Sequence, residues 1–194
     1  MRDLKHLIYF ENLLESADND LVKQAQAEGK LAIGYTCYHM PEALLNLPGC
    51  FSVRLRAPRT GSLDIATYYM SNYTCEYARA LVERGMEGGY QFLDALAGVD
   101  ACSMMNRAME HFEILQINEK PKFFVTHADI PFKITDYTLE SYVKQMRYRV
   151  LDVMKEKLGA AELPDTSSGG GGVTVTHGSA VAEATAALAR RRQA

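Results

Sequence analysis

Three of the four cysteines stand where a strand-like segment gives way to a helix-like one. Cys37 follows Ile-Gly-Tyr-Thr, Cys75 follows Ser-Asn-Tyr-Thr, and Cys102 follows Gly-Val-Asp-Ala. Open α/β sheets bind their ligands at the carboxyl ends of the strands. The positive end of a helix also stabilises a thiolate, the form of sulfur that binds metals or attacks substrates. These three cysteines are therefore candidate metal ligands or nucleophiles.

On spacing alone, a structural role is favoured for each of these cysteines. Zinc sites usually contain close pairs such as C-x2-C, and no such pair is present in this sequence. Long gaps suit a site assembled from several loops, but isolated cysteines are also ordinary core or surface residues. Cys50 follows a Pro-Gly turn and begins a predicted strand, so we expect it to be a small buried hydrophobic residue.

Two residues near Cys37 are weaker candidates for proton transfer. His39 lies in a predicted loop at the end of a strand, and Glu42 lies in the first turn of a predicted helix. Imidazole and carboxylate groups exchange protons in many active sites. The helix dipole alone also explains an acidic residue in a first turn, so a structural role is favoured for both, as it is for His127.

The amino-acid composition limits the class of protein to which this chain can belong. The chain has 194 residues, 47% of them hydrophobic and 23% charged, with a net charge of −3. We expect an ordinary globular protein that contacts no nucleic acid and no membrane. No signal-peptide pattern is recognisable, so we also expect a cytoplasmic location, where thiols stay reduced.

Hydrophobic periodicity predicts strands that alternate with helices. The predicted strands are 30–36, 51–56, part of 90–98, and 121–127. The predicted helices are 4–27, 41–45, 76–86, 103–113, and 137–158, the last capped by Thr135 or Asp136 and stopped by Gly159. Such alternation implies a parallel sheet covered on both faces. We therefore predict a Rossmann-like or flavodoxin-like three-layer α/β domain.

The sequence predicts three parts. Residues 1–29 form a helical segment, residues 30–160 form the Rossmann-like domain, and residues 161–194 form a glycine-rich linker and tail. The final aromatic residue is Tyr148, and residues 166–172 read Thr-Ser-Ser-Gly-Gly-Gly-Gly, which is typical of a flexible linker. The tail contains a weak strand pattern at 173–178 and an alanine-rich helical pattern at 179–193 that ends in three arginines.

Four segments, in order, resemble the 2-hydroxyacyl-CoA dehydratase and benzoyl-CoA reductase family. They are GYTCYHMPEALL at 34–45, SNYTCEY at 71–77, GYQFLD at 89–94 followed by DACSMMNR at 100–107, and HADIPFK at 127–133. The resemblance covers roughly residues 31–159 and is to the amino-terminal domain of the D-component type.

This resemblance implies a [4Fe-4S] cluster in a cleft between two Rossmann-like domains. Cys75 and Cys102 fall on the two cluster-ligand positions of the amino-terminal domain. Cys37 falls on a position that varies across the family, so it is an optional further ligand. In the family another cysteine comes from the second domain, but the chain contains no cysteine after residue 159.

The implied activity is the elimination of water from a 2-hydroxyacyl-CoA through a ketyl radical. An ATP-hydrolysing iron–sulfur activator protein supplies the single electron. The other implied partners are the acyl-CoA substrate and a homologous subunit or second domain that completes the cluster cleft. Three arginines in or after the second strand are candidates to contact the phosphates of CoA: Arg54, Arg56 and Arg59.

Three alternatives stay open at this point. The resemblance also extends to benzoyl-CoA reductases and double-cubane-cluster reductases, so reduction is the alternative to dehydration. The glycine-rich break and the aromatic-free tail also fit a truncated domain that folds without catalytic activity. A zinc or thiol site formed by Cys75 and Cys102 is the third alternative.

Overall fold

A four-stranded parallel sheet forms the centre of the fold. The computed structural model describes residues 4–58 and 60–159. The strands are β1 (Leu31–Tyr35), β2 (Cys50–Arg54), β3 (Ala95–Asp100) and β4 (Phe124–Asp129). They lie in the order β2-β1-β3-β4, and every pairing is parallel. This is the flavodoxin-like order, with its switch point between β1 and β3, and it confirms the predicted α/β class.

Seven α-helices surround the sheet in the described part of the chain. They are α1 (Lys5–Glu15), α2 (Asp20–Ala27), α3 (Asp64–Tyr69), α4 (Glu76–Met86), α5 (Ser103–Ile114), α6 (Asp136–Gln145) and α7 (Asp152–Leu158). A 3-10 turn, Glu42–Leu44, follows β1, and a π-helical turn, Met146–Leu151, joins α6 to α7. No helix in the described ranges is long and apolar enough to cross a bilayer.

The two faces of the sheet carry separate apolar cores. Helices α2 to α5 cover one face, where Leu81, Leu96 and Phe112 are buried. The 3-10 turn and the helices after β4 cover the other face, where Ile33 and Met146 are buried. The central strands β1 and β3 are apolar almost throughout because both of their faces lie against a core. The result is the predicted three-layer arrangement.

A close contact between β3 and α5 involves Gly98. A side chain at this position would collide with the end of the Met109 side chain, which projects from α5 onto the strand. Glycine at 98 therefore leaves room for Met109 in the core, and its backbone conformation is ordinary.

Several predicted helices differ from those observed. The single helix predicted over 4–27 is two helices, because the Asn19 side chain accepts hydrogen bonds from the backbone N–H groups of Leu21 and Val22 and begins a new helix. The helix predicted at 41–45 is only a 3-10 turn. Helix α3 lies in a segment where the sequence analysis identified no element.

The helix predicted over 137–158 is observed as α6, the π-helical turn and α7 in succession. Both ends of this helical segment agree with the prediction. Thr135 accepts a hydrogen bond from the backbone N–H of Thr138, and Thr138 reaches back to the Thr135 N–H, which makes a capping box. Gly159 ends α7 in the left-handed conformation, with φ of 59°. The predicted linker and tail, including both tail patterns, lie outside the described residues, as does Arg59.

Candidate functional site

The three candidate cysteines all lie at the carboxyl edge of the sheet, meaning the loops at the carboxyl ends of the strands and the helix starts beside them. Cys37 follows β1, Cys102 follows β3, and Cys75 precedes α4, which runs back toward the amino ends of the strands. In this strand order, a ligand site is expected at that edge.

Cys75 and Cys102 occupy equivalent positions at the starts of two helices. Each is the residue immediately before the first helical turn, of α4 and α5 respectively, with a non-helical backbone. Neither side chain caps its own helix, and both residues are exposed. Each cysteine therefore stands at the positive end of a helix. Both thiols remain available to bind an external group.

A direct contact connects the two helix starts. The backbone N–H of Cys75 donates a hydrogen bond to the Met104 sulfur, with 3.2 Å between nitrogen and sulfur. Met104 lies in the first turn of α5, two residues after Cys102, and α4 packs against α5. The two cysteine-bearing helix ends are thus neighbours. The sequence analysis did not identify Met104 as part of the site, because nothing in its local pattern indicates a contact with a residue so distant in sequence.

Tyr77 links the third cysteine to this pair. Its phenol donates a hydrogen bond to the carbonyl of Leu55, at 2.7 Å. The pKa of Tyr77 is raised, chiefly by burial. Its hydroxyl also donates to the carbonyl of Thr36, the residue before Cys37, at 3.5 Å, so Tyr77 connects the end of β1 to the helix that Cys75 begins. Sequence analysis placed this tyrosine on the helix but missed its role between the strand end and the cysteines.

The exposed thiols are chemically suitable ligands for an iron–sulfur cluster, but there are too few of them to complete one. Thiolates are the usual protein ligands of such clusters, and Cys75 and Cys102 are exposed and uncapped. Within residues 4–58 and 60–159, no three Cys, His, Asp or Glu side chains are grouped so that they could hold a metal ion. The carboxyl edge thus offers part of a ligand set.

Glu42 is engaged in local contacts. Its carboxylate accepts a hydrogen bond of 2.8 Å from the Ser52 hydroxyl on β2. The pKa of the Tyr35 phenol is raised first by burial and then by the charge of Glu42 and a hydrogen bond to it. The carboxylate therefore connects β1 to β2 beside the 3-10 turn, on the flank of the carboxyl edge.

The two histidines lie at different depths. The ring of His39 packs on that of Tyr38, with 4.1 Å between ring centroids, and its buried Nδ1 has no hydrogen-bond partner in the described part of the chain. The pKa of His127, on β4, is lowered chiefly by burial. His39 is the one of the two that lies in a loop of the carboxyl edge, next to Cys37.

The arginine candidates separate in the structure. The guanidinium of Arg56 donates to the carbonyls of Leu13 and Leu14, at 3.3 Å and 3.5 Å, in the last turn of α1. It therefore binds the negative end of that helix. Arg54, at the end of β2, has an exposed side chain. Arg59 cannot be placed, since it is outside the described residues.

Four exposed aromatic side chains lie in the loops and helix starts of the carboxyl edge. We call Tyr38, Tyr73, Phe132 and Tyr137 the aromatic rim. Their exposed fractions are 70%, 95%, 94% and 81%. All four follow β1 or β4 or stand beside the start of α4 or α6, so they belong to the carboxyl edge. A group of large exposed aromatics is typical of a surface that another protein covers.

Comparison with known proteins gives one family. Residues 37–162, well over half of the chain, match the family model described as 2-hydroxyglutaryl-CoA dehydratase, D-component. The matched range contains all three carboxyl-edge cysteines and begins at the first of them. No curated protein matches the chain.

Proposed function

This chain belongs to the 2-hydroxyglutaryl-CoA dehydratase D-component family, and on that premise we propose that it is an iron–sulfur half-site of a 2-hydroxyacyl-CoA dehydratase. In the proposal, Cys75 and Cys102 are thiolate ligands of a [4Fe-4S] cluster, and Cys37 is an optional further ligand. The observation that carries it is the paired placement of Cys75 and Cys102, exposed and uncapped at the starts of two contacting helices.

The chain contributes position and electrostatics to the proposed chemistry. A bound cluster supplies one-electron transfer and an iron that acts as a Lewis acid. The positive ends of the helix dipoles of α4 and α5 would favour the negative charge of cluster-bound thiolates at these two positions. Tyr77 holds α4 to the end of β2 through its hydrogen bond to Leu55, so the helix start that carries Cys75 is anchored to the sheet.

A partner is needed to complete the proposed site. Two thiolates leave a cluster partly exposed and incompletely ligated, and the family is described as one component of an enzyme. The exposed aromatic rim supports a covering partner, which we propose to be a second α/β domain or a homologous subunit. Covering the rim would exclude water from the site and strengthen electrostatic interactions within it. An ATP-hydrolysing activator protein and an acyl-CoA are the other proposed partners.

The arginines differ in their suitability for the CoA phosphates. Arg56 already donates to two carbonyls of α1, whereas the Arg54 side chain is exposed at the end of β2. We therefore favour Arg54 over Arg56 for this contact, and Arg59 stays a prediction from the sequence. A bidentate guanidinium suits phosphate oxygens.

Anaerobic reconstitution tests the cluster assignment. Purified chain is incubated with iron and sulfide, desalted, and assayed for bound iron, sulfide and visible absorption. We expect brown protein from the wild type and loss of most iron in Cys75→Ala and Cys102→Ala. Cys50→Ala is the matched control, since Cys50 is buried at the start of β2, and it should retain its iron.

Two outcomes would contradict the proposal. One is a double Cys75→Ala, Cys102→Ala variant that holds as much iron as the wild type. The other is a wild type that binds zinc stoichiometrically and takes up neither iron nor sulfide, even when a covering subunit of the family is added. Iron retention by Cys37→Ala would separately show that Cys37 is not required.

A further inference from the structure

The segment that delivers Cys75 is held by the helix that Cys75 begins. We call residues 70–75 the cysteine loop. Arg79, one turn into α4, donates from Nε to the Thr74 carbonyl at 3.3 Å, and from Nη1 to the Thr67 hydroxyl at 3.2 Å and the Asn72 side-chain oxygen at 3.5 Å. One guanidinium therefore reaches α3, the middle of the loop, and the residue directly before Cys75.

A second side chain on the same face of α4 holds α3, the helix directly before the cysteine loop. Glu83, four residues after Arg79, is 1% exposed and accepts a hydrogen bond of 2.6 Å from the backbone N–H of Ala66 in α3. Residues four apart lie above one another on a helix. Within the loop, the Thr74 N–H donates to the Ser71 carbonyl at 2.8 Å and closes a turn. The helix before the loop, the loop itself and the end of the loop are thus each held by a hydrogen bond.

We propose that Arg79 is a positioning residue, which fixes the cysteine loop so that the Cys75 thiol keeps its place beside Cys102. The proposal deepens the proposed function and rests on it for its purpose, because cluster ligands must be held at a fixed spacing. The immobilisation of Cys75 itself is inferred from the hydrogen bonds and does not depend on a bound cluster. The hydrogen bond from the Cys75 N–H to the Met104 sulfur then fixes Cys75 relative to α5.

The three acceptors explain why arginine occupies this position. A guanidinium presents five N–H donors in a planar fork, whereas the lysine ammonium is a compact group on a flexible stem. The acceptors of Arg79 are neutral and come from three separate residues. Lysine can reach at most part of this set, so Arg79→Lys should give a partial effect and Arg79→Gln a larger one.

Hydrogen exchange of the full chain without iron tests the proposal. Arg79→Gln should raise the exchange rates of the Thr74 and Cys75 amides about tenfold or more, because the loop opens locally. Amides in the middle of α4 should change much less. Arg84→Gln is the matched control: Arg84 lies on the same helix in an ion pair of 3.1 Å with Glu87, outside the loop contacts. It should leave the Thr74 and Cys75 rates as in the wild type.

Iron retention supplies the second measurement. After reconstitution, Arg79→Gln should lose iron several-fold faster than the wild type, Arg79→Lys should lie between them, and Arg84→Gln should match the wild type. Unchanged exchange at Thr74 and Cys75 in Arg79→Gln would overturn the proposal. So would equal acceleration throughout α4, since that reports loss of the helix and not release of the loop. Should Arg79→Gln not fold, the same comparison is made with Arg79→Lys.

The two proposals fail in distinguishable ways. A wild type that binds no iron, alone or with its covering subunit, counts against the cluster assignment, while the exchange rates still decide whether Arg79 immobilises Cys75. Conversely, normal iron binding with unchanged exchange in the Arg79 variants supports the cluster and rejects the positioning role.

Discussion

The two edges of the sheet differ in whether their chemically important groups are used within the chain or left exposed. At the amino edge, meaning the loops at the amino ends of the strands, the Asp94 carboxylate accepts the Ala32 N–H and the Lys120 ammonium, both at 2.8 Å. Lys120 also donates to the Phe92 carbonyl at 2.8 Å. These contacts connect β1, β3 and the approach to β4 through partly buried charged groups.

Amide side chains extend the amino-edge network. Asn118 is buried and donates to the carbonyls of Tyr90 and Leu93, at 2.9 Å and 3.1 Å. Its side-chain oxygen accepts the Lys120 N–H at 2.9 Å. Each of these contacts joins segments that are separate in the fold or closes a turn between them. The amino edge is therefore a region in which polar groups have partners within the chain.

The carboxyl edge also contains hydrogen-bonded polar groups, such as Glu42 and Arg79, but two of its cysteines are left exposed. Cys75 and Cys102 do not cap their helices, and the aromatic rim is exposed. The difference indicates a division of labour. Hydrogen bonds at the amino edge stabilise the sheet, and groups at the carboxyl edge stay available for a ligand and a partner. Natural proteins depart from full internal satisfaction chiefly at functional sites.

Of the substitutions proposed here, Asp94→Ala at the amino edge should destabilise the protein most. It removes the acceptor of a β1 amide and leaves Lys120 without its carboxylate, so we expect unfolding to become easier by about 3 kcal/mol. Urea denaturation measures the change. Asp94→Asn, which keeps an acceptor oxygen, should cost less. A loss below about 0.5 kcal/mol in Asp94→Ala would mean that the amino edge does not stabilise the fold.

The next largest difference should appear when the same substitution is made at a buried and at an exposed cysteine. Cys50 is buried, and burial raises the pKa of its thiol, so Cys50→Ser places a hydroxyl in an apolar core and should cost about 1–2 kcal/mol. Cys75→Ser, at an exposed position, should change stability by less than about 0.5 kcal/mol.

Thiol labelling of the native protein checks the same comparison. Cys75 and Cys102 should react rapidly with a thiol reagent, and Cys50 should react only on unfolding. Comparable labelling rates for Cys50 and Cys75 in the native state would contradict the assignment of one to the core and the other to the open edge.

Lowering the pH should reduce the free energy of unfolding, by less than the substitutions above, through two histidines that lie between the edges. The pKa of His111, in α5, is lowered chiefly by burial, as is that of His127. Because their folded pKa values lie below the ordinary value of 6.5, the unfolded chain takes up protons first. Stability should be complete above that pH and should fall as the pH drops through the folded pKa values.

A variant isolates the histidine contribution to this pH dependence. Unfolding free energies of the wild type and His111→Leu are compared across the range below the ordinary histidine pKa. The wild type should lose more stability than the variant as the pH falls. Parallel curves would show that protonation of His111 is not linked to folding.

Local sequence signals predicted much of this molecule. The order of strands and helices, the helix starts at Cys75 and Cys102, and the cap at Thr135 all follow from patterns within a few residues. The break at Asn19 was missed although Asn is a strong cap, because the apolar spacing on both sides is compatible with one helix. That error came from giving periodicity more weight than capping.

The unpredicted features depend on residues far apart in sequence. Helix α3 is short, and the Glu83 carboxylate that holds its Ala66 amide comes from α4. The contact between Cys75 and Met104 likewise joins two separate helices. Propensity carries no information about such pairs, so the neighbours of the cysteines emerge only from the three-dimensional arrangement.

The close contact of Gly98 with Met109 couples two core positions on neighbouring elements. A larger residue at 98 requires the end of the Met109 side chain to repack or α5 to shift, and a shorter side chain at 109 would make room for it. Cys102 begins α5, so the same two positions lie on the elements that set where this cysteine stands. Over evolutionary time, residues 98 and 109 should therefore change together and not one at a time.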